Sequence, residues 1–167
     1  NEACRLWEQG VPTETIDRAL REWGWPMGPM RLIDEVGVDV SDFIFGEMAH
    51  YFPARFTGAT LCSRMLAAGL KGRKNGAGIG FYAYTGGREG LNPAMAQFAP
   101  ATSLVLDAKA IQDRLNGVMI EETRRVLAEG VVKTAAEADL ALLLGAGFPA
   151  FRGGLLRSAR SSGAAPG

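Results

Sequence analysis

The sequence predicts an all-α fold built from two pseudo-symmetric helical repeats packed together. Three observations carry this prediction. Apolar residues recur at three- and four-residue spacing between glycine and proline stops, which is the period of an amphipathic helix. Only a short run near Phe81-Tyr82-Ala83-Tyr84 reads as extended chain. One pattern of helix, glycine, threonine, helix, aromatic residue and proline occurs twice. Glu2, Arg5, Glu8 and Gly10 recur in type as Glu122, Arg125, Glu129 and Gly130, and Thr13 and Asp17 as Thr134 and Asp139. Gly24-Trp25-Pro26 recurs as Gly147-Phe148-Pro149, and residues 26–29 correspond to residues 149–154. Two copies of a helical unit stack naturally, each covering the apolar face of the other.

The elements follow in order. Residues 2–9 read as a helix closed by Gly10, which tolerates the left-handed conformation at a helix end. Thr13 is the expected N-cap of a second helix, with Ile16, Ala19 and Leu20 on one face, ended by Trp23-Gly24-Trp25-Pro26. Pro29 suits a first helical position, and Met30, Ile33 and Val36 form a stripe stopped by Gly37. Further helices are expected over about 41–52, up to Pro53, and over 60–70. Residues 71–76 form a basic, glycine-rich loop, and residues 85–102 read as a linker of turn formers. A long helix from near Asp107 to Glu129 keeps Ile111, Leu115, Val118 and Val126 in phase, and Thr134 caps a last one over 135–144. The chain after Ser158 reads as frayed. These signals divide it into a first repeat over 1–88, truncated at its N-terminus, a linker over 89–102, a degenerate second repeat over 103–160 and a flexible tail over 161–167.

Composition excludes several classes. Lysine plus arginine balances aspartate plus glutamate at 18 each, which gives no electrostatic pull toward nucleic acid or an anionic membrane. No run approaches the ~20 apolar residues of a membrane span. Cys4 and Cys62 make no disulfide framework and read as buried free thiols of a reducing, cytoplasmic compartment. The single histidine, His50, reads as a surface or half-buried helix residue and builds no metal site. Because the chain opens on Asn1, in mid-helix and without a methionine, it is expected to be a fragment of a longer enzyme.

Few stretches can carry chemistry. Gly76-Ala77-Gly78-Ile79-Gly80 has its third glycine one residue too early for a dinucleotide loop and leads into an aromatic run, not a helix. The acids Asp34 and Glu35, like Glu121 and Glu122, are sequence neighbours that diverge around a helix and form no acid–base pair. Lys71, Arg73 and Lys74 fit either a solvated loop or a phosphate contact. The densest signal is residues 24–34. There two prolines and two glycines fix the backbone while Trp25, Met27 and Leu32 are presented. On the residues alone this is either a wall for an acyl chain or thioester or a tight corner between helices.

In these stretches the sequence resembles the C-terminal region of 3-hydroxyacyl-CoA dehydrogenases, in particular the multifunctional β-oxidation enzymes with two tandem copies of that domain. The residues that carry the resemblance are Asn1-Glu2-Ala3, Gly10, Ile16-Asp17, Trp25-Pro26-Met27-Gly28-Pro29, Leu32-Ile33-Asp34, Val36-Gly37-Val38-Asp39, Gly72-Arg73-Lys74 and Gly80-Phe81-Tyr82-Ala83-Tyr84. The second copy is carried by Ile111-Gln112-Asp113-Arg114, Glu122, Glu129-Gly130, Glu137-Ala138-Asp139, Gly147-Phe148-Pro149 and Arg152-Gly153-Gly154.

The resemblance implies hydride transfer from a 3-hydroxyacyl-CoA to NAD, giving a 3-oxoacyl-CoA in fatty-acid oxidation. NAD and the catalytic histidine and glutamate would belong to an upstream domain of the same polypeptide, and a substrate-contacting asparagine would lie just before Asn1. This chain is thus expected to hold no catalytic residue, cofactor or metal of its own. It would instead contribute a substrate wall of Trp25, Pro26, Met27, Gly28, Pro29 and Leu32. The expected partners are acyl-CoA and the upstream NAD-binding domain, with a homodimer as the assembly to test. The alternative is a free-standing, non-catalytic helical module that binds acyl-CoA or dimerises. A weaker one is a helical domain of a hydroxyacid dehydrogenase acting on a substrate without CoA.

Overall fold

Glycine, proline and capping side chains set the helix boundaries. The computed structural model describes residues 1–73, 78–85 and 88–161. Helix α1 is Glu2–Glu8, α2 Thr13–Trp23, α3 Pro29–Val36, α4 Val38–Tyr51 and α5 Leu61–Ala67. A hairpin follows, β1 Tyr82–Thr85 with β2 Arg88–Leu91, paired antiparallel with Tyr82 opposite Leu91. A 3-10 turn, Pro93–Phe98, leads into the long helix α6, Ala108–Ala128. Then come α7 Ala135–Gly145, a short 3-10 turn Ala150–Arg152 and α8 Leu155–Ser161.

Most starts and stops fall where the sequence places them, with physical reasons for the exceptions. The N-cap of α2 is Pro12 and not Thr13, which is the first helical residue and is buried. Helix α4 begins at Val38, three residues earlier than expected. The break at Gly37, with φ of 110°, turns the chain in one residue and lets the next helix start at once. Thr134 does cap α7. Its hydroxyl accepts from the Glu137 amide while the Glu137 carboxylate accepts from the Thr134 amide, a capping box. Residues 89–102, read as a linker, instead supply the rest of β2 and the 3-10 turn, whose Met95 and Phe98 are buried in the core. Asn92 anchors that turn by donating to the Gly80 carbonyl at 2.8 Å and accepting from the Ala94 amide. The chain past Ser158 stays helical to Ser161; the tail beyond, like residues 74–76 of the basic loop, lies outside the described residues.

Helix α1 runs through the core with Cys4, Leu6 and Trp7 buried, surrounded by Ile16 and Leu20 of α2, Met30 of α3, Leu61, Cys62 and Met65 of α5, Phe81, and Ile111 and Leu115 of α6. Cys4 and Cys62 are free thiols.

The repeat is visible as one construction made twice. In the first copy the Asp17 carboxylate, on α2, accepts from the first-turn amides of α3, Met30 N–H at 2.8 Å and Arg31 N–H at 3.0 Å. In the second the Asp139 carboxylate, on α7, accepts from the Leu156 and Arg157 amides of α8 at 2.7 and 3.2 Å. A carboxylate on the open amides of a helix start satisfies both hydrogen bonding and the helix dipole. Both acids need a glycine beside them. A Cβ at Gly28 would sit 2.2 Å from the Asp17 Cγ, and one at Gly154 2.3 Å from the Asp139 Cγ. The copies are joined by aromatic packing. Phe148 meets Trp23 and Trp25 edge-on at 5.7 and 5.5 Å, and the Arg152 guanidinium lies 3.9 Å from the Trp23 ring centroid while donating to the Trp23 carbonyl.

Candidate substrate-side groove

The corner between α2 and α3 is held from three directions. Asp17 pins it from below, and Tyr82 of the hairpin adds a third donor to the same carboxylate at 2.8 Å. Burial raises the Asp17 pKa, against the pull of those donors. The Trp25 indole N–H donates to the Asn116 side chain of α6 at 3.1 Å. Asn116 in turn donates to the Gln112 carbonyl, and the Gln112 amide donates to the Ala19 carbonyl on α2, so α6 is tied to both sides of the corner.

The six residues expected to form a wall divide between two hollows. Trp25, Met27, Pro29 and Leu32 line an apolar groove of about 300 Å³, together with Leu20, Leu115, Val118, Met119 and Ala146, and with Asn1, Glu2 and Ala3. Pro26 and Gly28 face away, with Met27, into a charged hollow that also presents Glu14, Arg18, Arg21 and Arg31. Gly28 is there because the Asp17 side chain leaves no room for a Cβ. The groove's other residues were missed by sequence reasoning. The spacing of Leu115, Val118 and Met119 marks an apolar helix face, yet nothing in it says which corner that face meets.

At its polar end the groove runs into a wider cleft of about 710 Å³, with which it shares Asn1, Glu2, Val118 and Met119. Arg5, Arg55, Arg114 and Arg125 line this cleft. Each is matched by a carboxylate: Arg114 and Arg5 by Glu2, Arg55 by Glu122 and Glu129, Arg125 by Glu122.

The remaining candidates are engaged elsewhere. The Arg73 guanidinium donates to Glu35 at 2.7 Å, which with Arg31 holds the Glu35 carboxyl below its usual range. Lys74 lies outside the described residues. Asp34 is fully buried and receives the Phe81 and Tyr82 amides at 2.9 Å each and the Tyr84 hydroxyl at 3.0 Å. Burial, with the Asp17 charge adding to it, pushes its pKa up to about 6 despite those three donors. It opens onto none of the three hollows and serves to dock the hairpin on α3. His50 is exposed, against the Tyr51 ring. Among the described residues no cluster of His, Cys, Asp and Glu could hold a metal ion, and no helix is long and apolar enough to cross a membrane.

A mostly helical, internally repeated domain with an apolar groove between its copies is thus the class that fold and geometry define. The comparisons give the family. Residues 1–84 match the family described as 3-hydroxyacyl-CoA dehydrogenase, C-terminal domain, and the chain belongs to it. The chain is 39% identical, over 97% of its length, to the fatty acid oxidation complex subunit alpha of Pseudomonas aeruginosa (strain LESB58), and 38% identical to that of Pseudomonas savastanoi pv. phaseolicola. It spans only 24% of the length of each of these relatives. Two solved structures share the fold. The 3-hydroxybutyryl-CoA dehydrogenase of Escherichia coli K12 matches 96% of this chain and 52% of its own with a TM-score of 0.66 at 20% identity. The dehydrogenase part of multifunctional enzyme 1 from C. elegans matches 77% of this chain and 30% of its own with a TM-score of 0.62 at 24% identity.

Proposed function

We propose that this chain is the substrate-side and assembly part of an NAD-dependent 3-hydroxyacyl-CoA dehydrogenase of fatty-acid oxidation, with residues 1–88 and 103–160 as its two repeats. The observation that carries the reading is the apolar groove beside Asn1, lined by Trp25, Met27, Pro29 and Leu32 of the family's signature corner. The described residues do not fit NAD. They hold helices and one antiparallel hairpin, with no parallel strand opening through a glycine turn onto a helix. Gly80, the last glycine of the 76–80 run, is spoken for by Asp34, whose Oδ1 would lie 1.9 Å from a Cβ there. NAD binding and proton abstraction fall to an upstream domain of the same polypeptide.

What these residues do is bind and exclude. An acyl chain laid in the groove loses contact with water along Trp25, Met27 and Leu32, and its thioester end is left near Asn1. The binding energy gained there orients the reacting carbon toward the upstream domain. The paired arginines and glutamates of the adjoining cleft are the surface against which that domain closes. Two buried free thiols suit a cytoplasmic location.

The test uses the intact polypeptide. Leu32 is 51% exposed, so Leu32→Asp leaves the fold alone. It should raise KM for a medium-chain 3-hydroxyacyl-CoA about tenfold, the worth of roughly half a buried leucine. An unchanged KM removes the wall assignment. NAD reduction by the 167-residue chain alone would overturn the division of labour.

A further inference from the structure

The groove has two walls, and only one belongs to the signature corner. The other is α6 of the second repeat, which offers Leu115, Val118 and Met119 at three- and four-residue spacing along one face, with Ala146 after α7 beside them. Leu115 is buried, while Val118 is 45% exposed. On the other wall Leu32 is 51% exposed, so both walls turn apolar surface to the groove. An apolar ligand between them would cover both.

Resting on the dehydrogenase reading above, we propose that the second repeat is the gauge for acyl-chain length, with Met119 and Val118 of α6 setting how much chain the groove accepts. Because Val118 and Met119 are shared between groove and cleft, they stand where the chain would pass from one into the other. Leu20, Trp25, Leu115 and Ala146 belong to the groove alone and lie beyond that passage. The Trp25 indole N–H donates to Asn116, itself on α6, so one hydrogen bond ties the two walls together at the far part of the groove. Methionine at the passage supplies a polarizable, unbranched side chain that adapts to a chain sliding past it.

The volume sets the class of substrate. A space of about 300 Å³ takes on the order of ten methylene-sized groups, at roughly the ~30 Å³ of a liquid water each. Medium-chain thioesters then fill the groove, whereas a four-carbon substrate leaves it nearly empty. Each methylene that enters should raise kcat/KM about fourfold, until the groove is full.

The experiment compares 3-hydroxybutyryl-CoA, 3-hydroxydecanoyl-CoA and 3-hydroxyhexadecanoyl-CoA as substrates of the intact polypeptide and reads the ratios of kcat/KM. In Met119→Trp the decanoyl-to-butyryl ratio should fall about tenfold or more, as two or three methylenes lose their place. Met119→Ala should shift the ratio the other way, toward the longer chain. Val118→Phe, at an exposed position that the fold tolerates, should act in the same direction as Met119→Trp. Opposite shifts from filling and from trimming are not produced by a residue that only supports the fold. Equal losses at every length, or unchanged ratios, would overturn the gauge while leaving the dehydrogenase reading in place. An unsubstituted enzyme inactive on every length would sink that reading, and the gauge with it.

Discussion

Replacing Gly28 by alanine should cost folding stability before it costs substrate affinity. Gly28 has φ of −71° and ψ of 152°, a conformation open to alanine, so no backbone strain enters. The obstacle is the Asp17 side chain, whose Cγ, Cβ and Oδ1 would lie 2.2, 2.3 and 2.4 Å from the new Cβ. Asp17 cannot step aside without leaving the Met30 amide, the Arg31 amide and the Tyr82 hydroxyl. Hydrogen bonds to a charged group contribute about 1.5–3 kcal/mol each, and losing two of the three predicts a loss of about 3–6 kcal/mol. For a chain of this size that lowers Tm by about 10 °C. Urea unfolding of the 167-residue chain, followed by tryptophan fluorescence, measures it. A double-mutant cycle isolates the cause: once Asp17→Gly has removed the Cβ as well as the carboxylate, adding Gly28→Ala should cost little more. A loss below about 1 kcal/mol for Gly28→Ala, or additive losses in the cycle, would refute the close-approach argument. Such a result would return Gly28 to the substrate wall.

Two further outcomes follow from the same contacts. With its pKa near 6, Asp34 keeps a proton in the folded state that an unfolded aspartate releases near 3.9. The folded state therefore binds more protons in that interval, and stability falls as pH rises from about 4 to about 6, by about 3 kcal/mol from this group. Denaturant titrations at a series of pH values should show the fall, and Asp34→Asn should remove the Asp34 share of it, leaving the smaller one from Asp17, whose pKa burial also raises; a variant with the same slope as the parent chain shows that Asp34 is not its source. Arg152→Ala removes the cation over the Trp23 ring and the donor to the Trp23 carbonyl, and should cost about 1–3 kcal/mol while loosening α8 against α2. Amide exchange that accelerates across α8 and the 150–152 turn would confirm the coupling, and uniform exchange in both chains would count against it.

Helix boundaries were legible because glycine, proline and capping residues act locally. The Thr134 capping box, the Pro29 start and the Gly37 stop need nothing beyond their own neighbours in sequence. The hairpin was half legible. Its first strand is an aromatic run, but its second, Arg88–Leu91, is four residues of mixed polarity between turn formers, and its partnership with β1 is a tertiary fact. Asp17 and Asp34 were legible as identities and not as roles, since an acid at helical spacing reads as solvated until the amides that reach it are known. The groove was legible on one side only. Residues 24–32 announce themselves by their prolines and glycines, whereas Leu115, Val118 and Met119 are ordinary helix residues until packing brings them opposite Trp25.

The duplication separates what folding requires from what function requires, because the two copies share one construction. Asp17 with Gly28 has its counterpart in Asp139 with Gly154, and Trp25 in Phe148; these pin the second helix of each unit and join the copies. Counting from the paired glycines, Met27 stands where the second copy has Gly153, and Leu32 where it has Ser158. The side chains that make the first corner a groove wall are thus absent from the second, although the backbone device beneath them is present in both. The outer face of the first unit's α2 carries Glu14, Arg18 and Glu22, while the same positions of α7 are Ala136, Leu140 and Leu144, with Leu144 80% exposed. A unit kept only for bulk would show the charged face in both copies. The second copy lacks the corner's side chains and presents Leu115, Val118 and Met119 of α6 to the groove, which is the arrangement that the proposed wall opposite the proposed substrate corner requires.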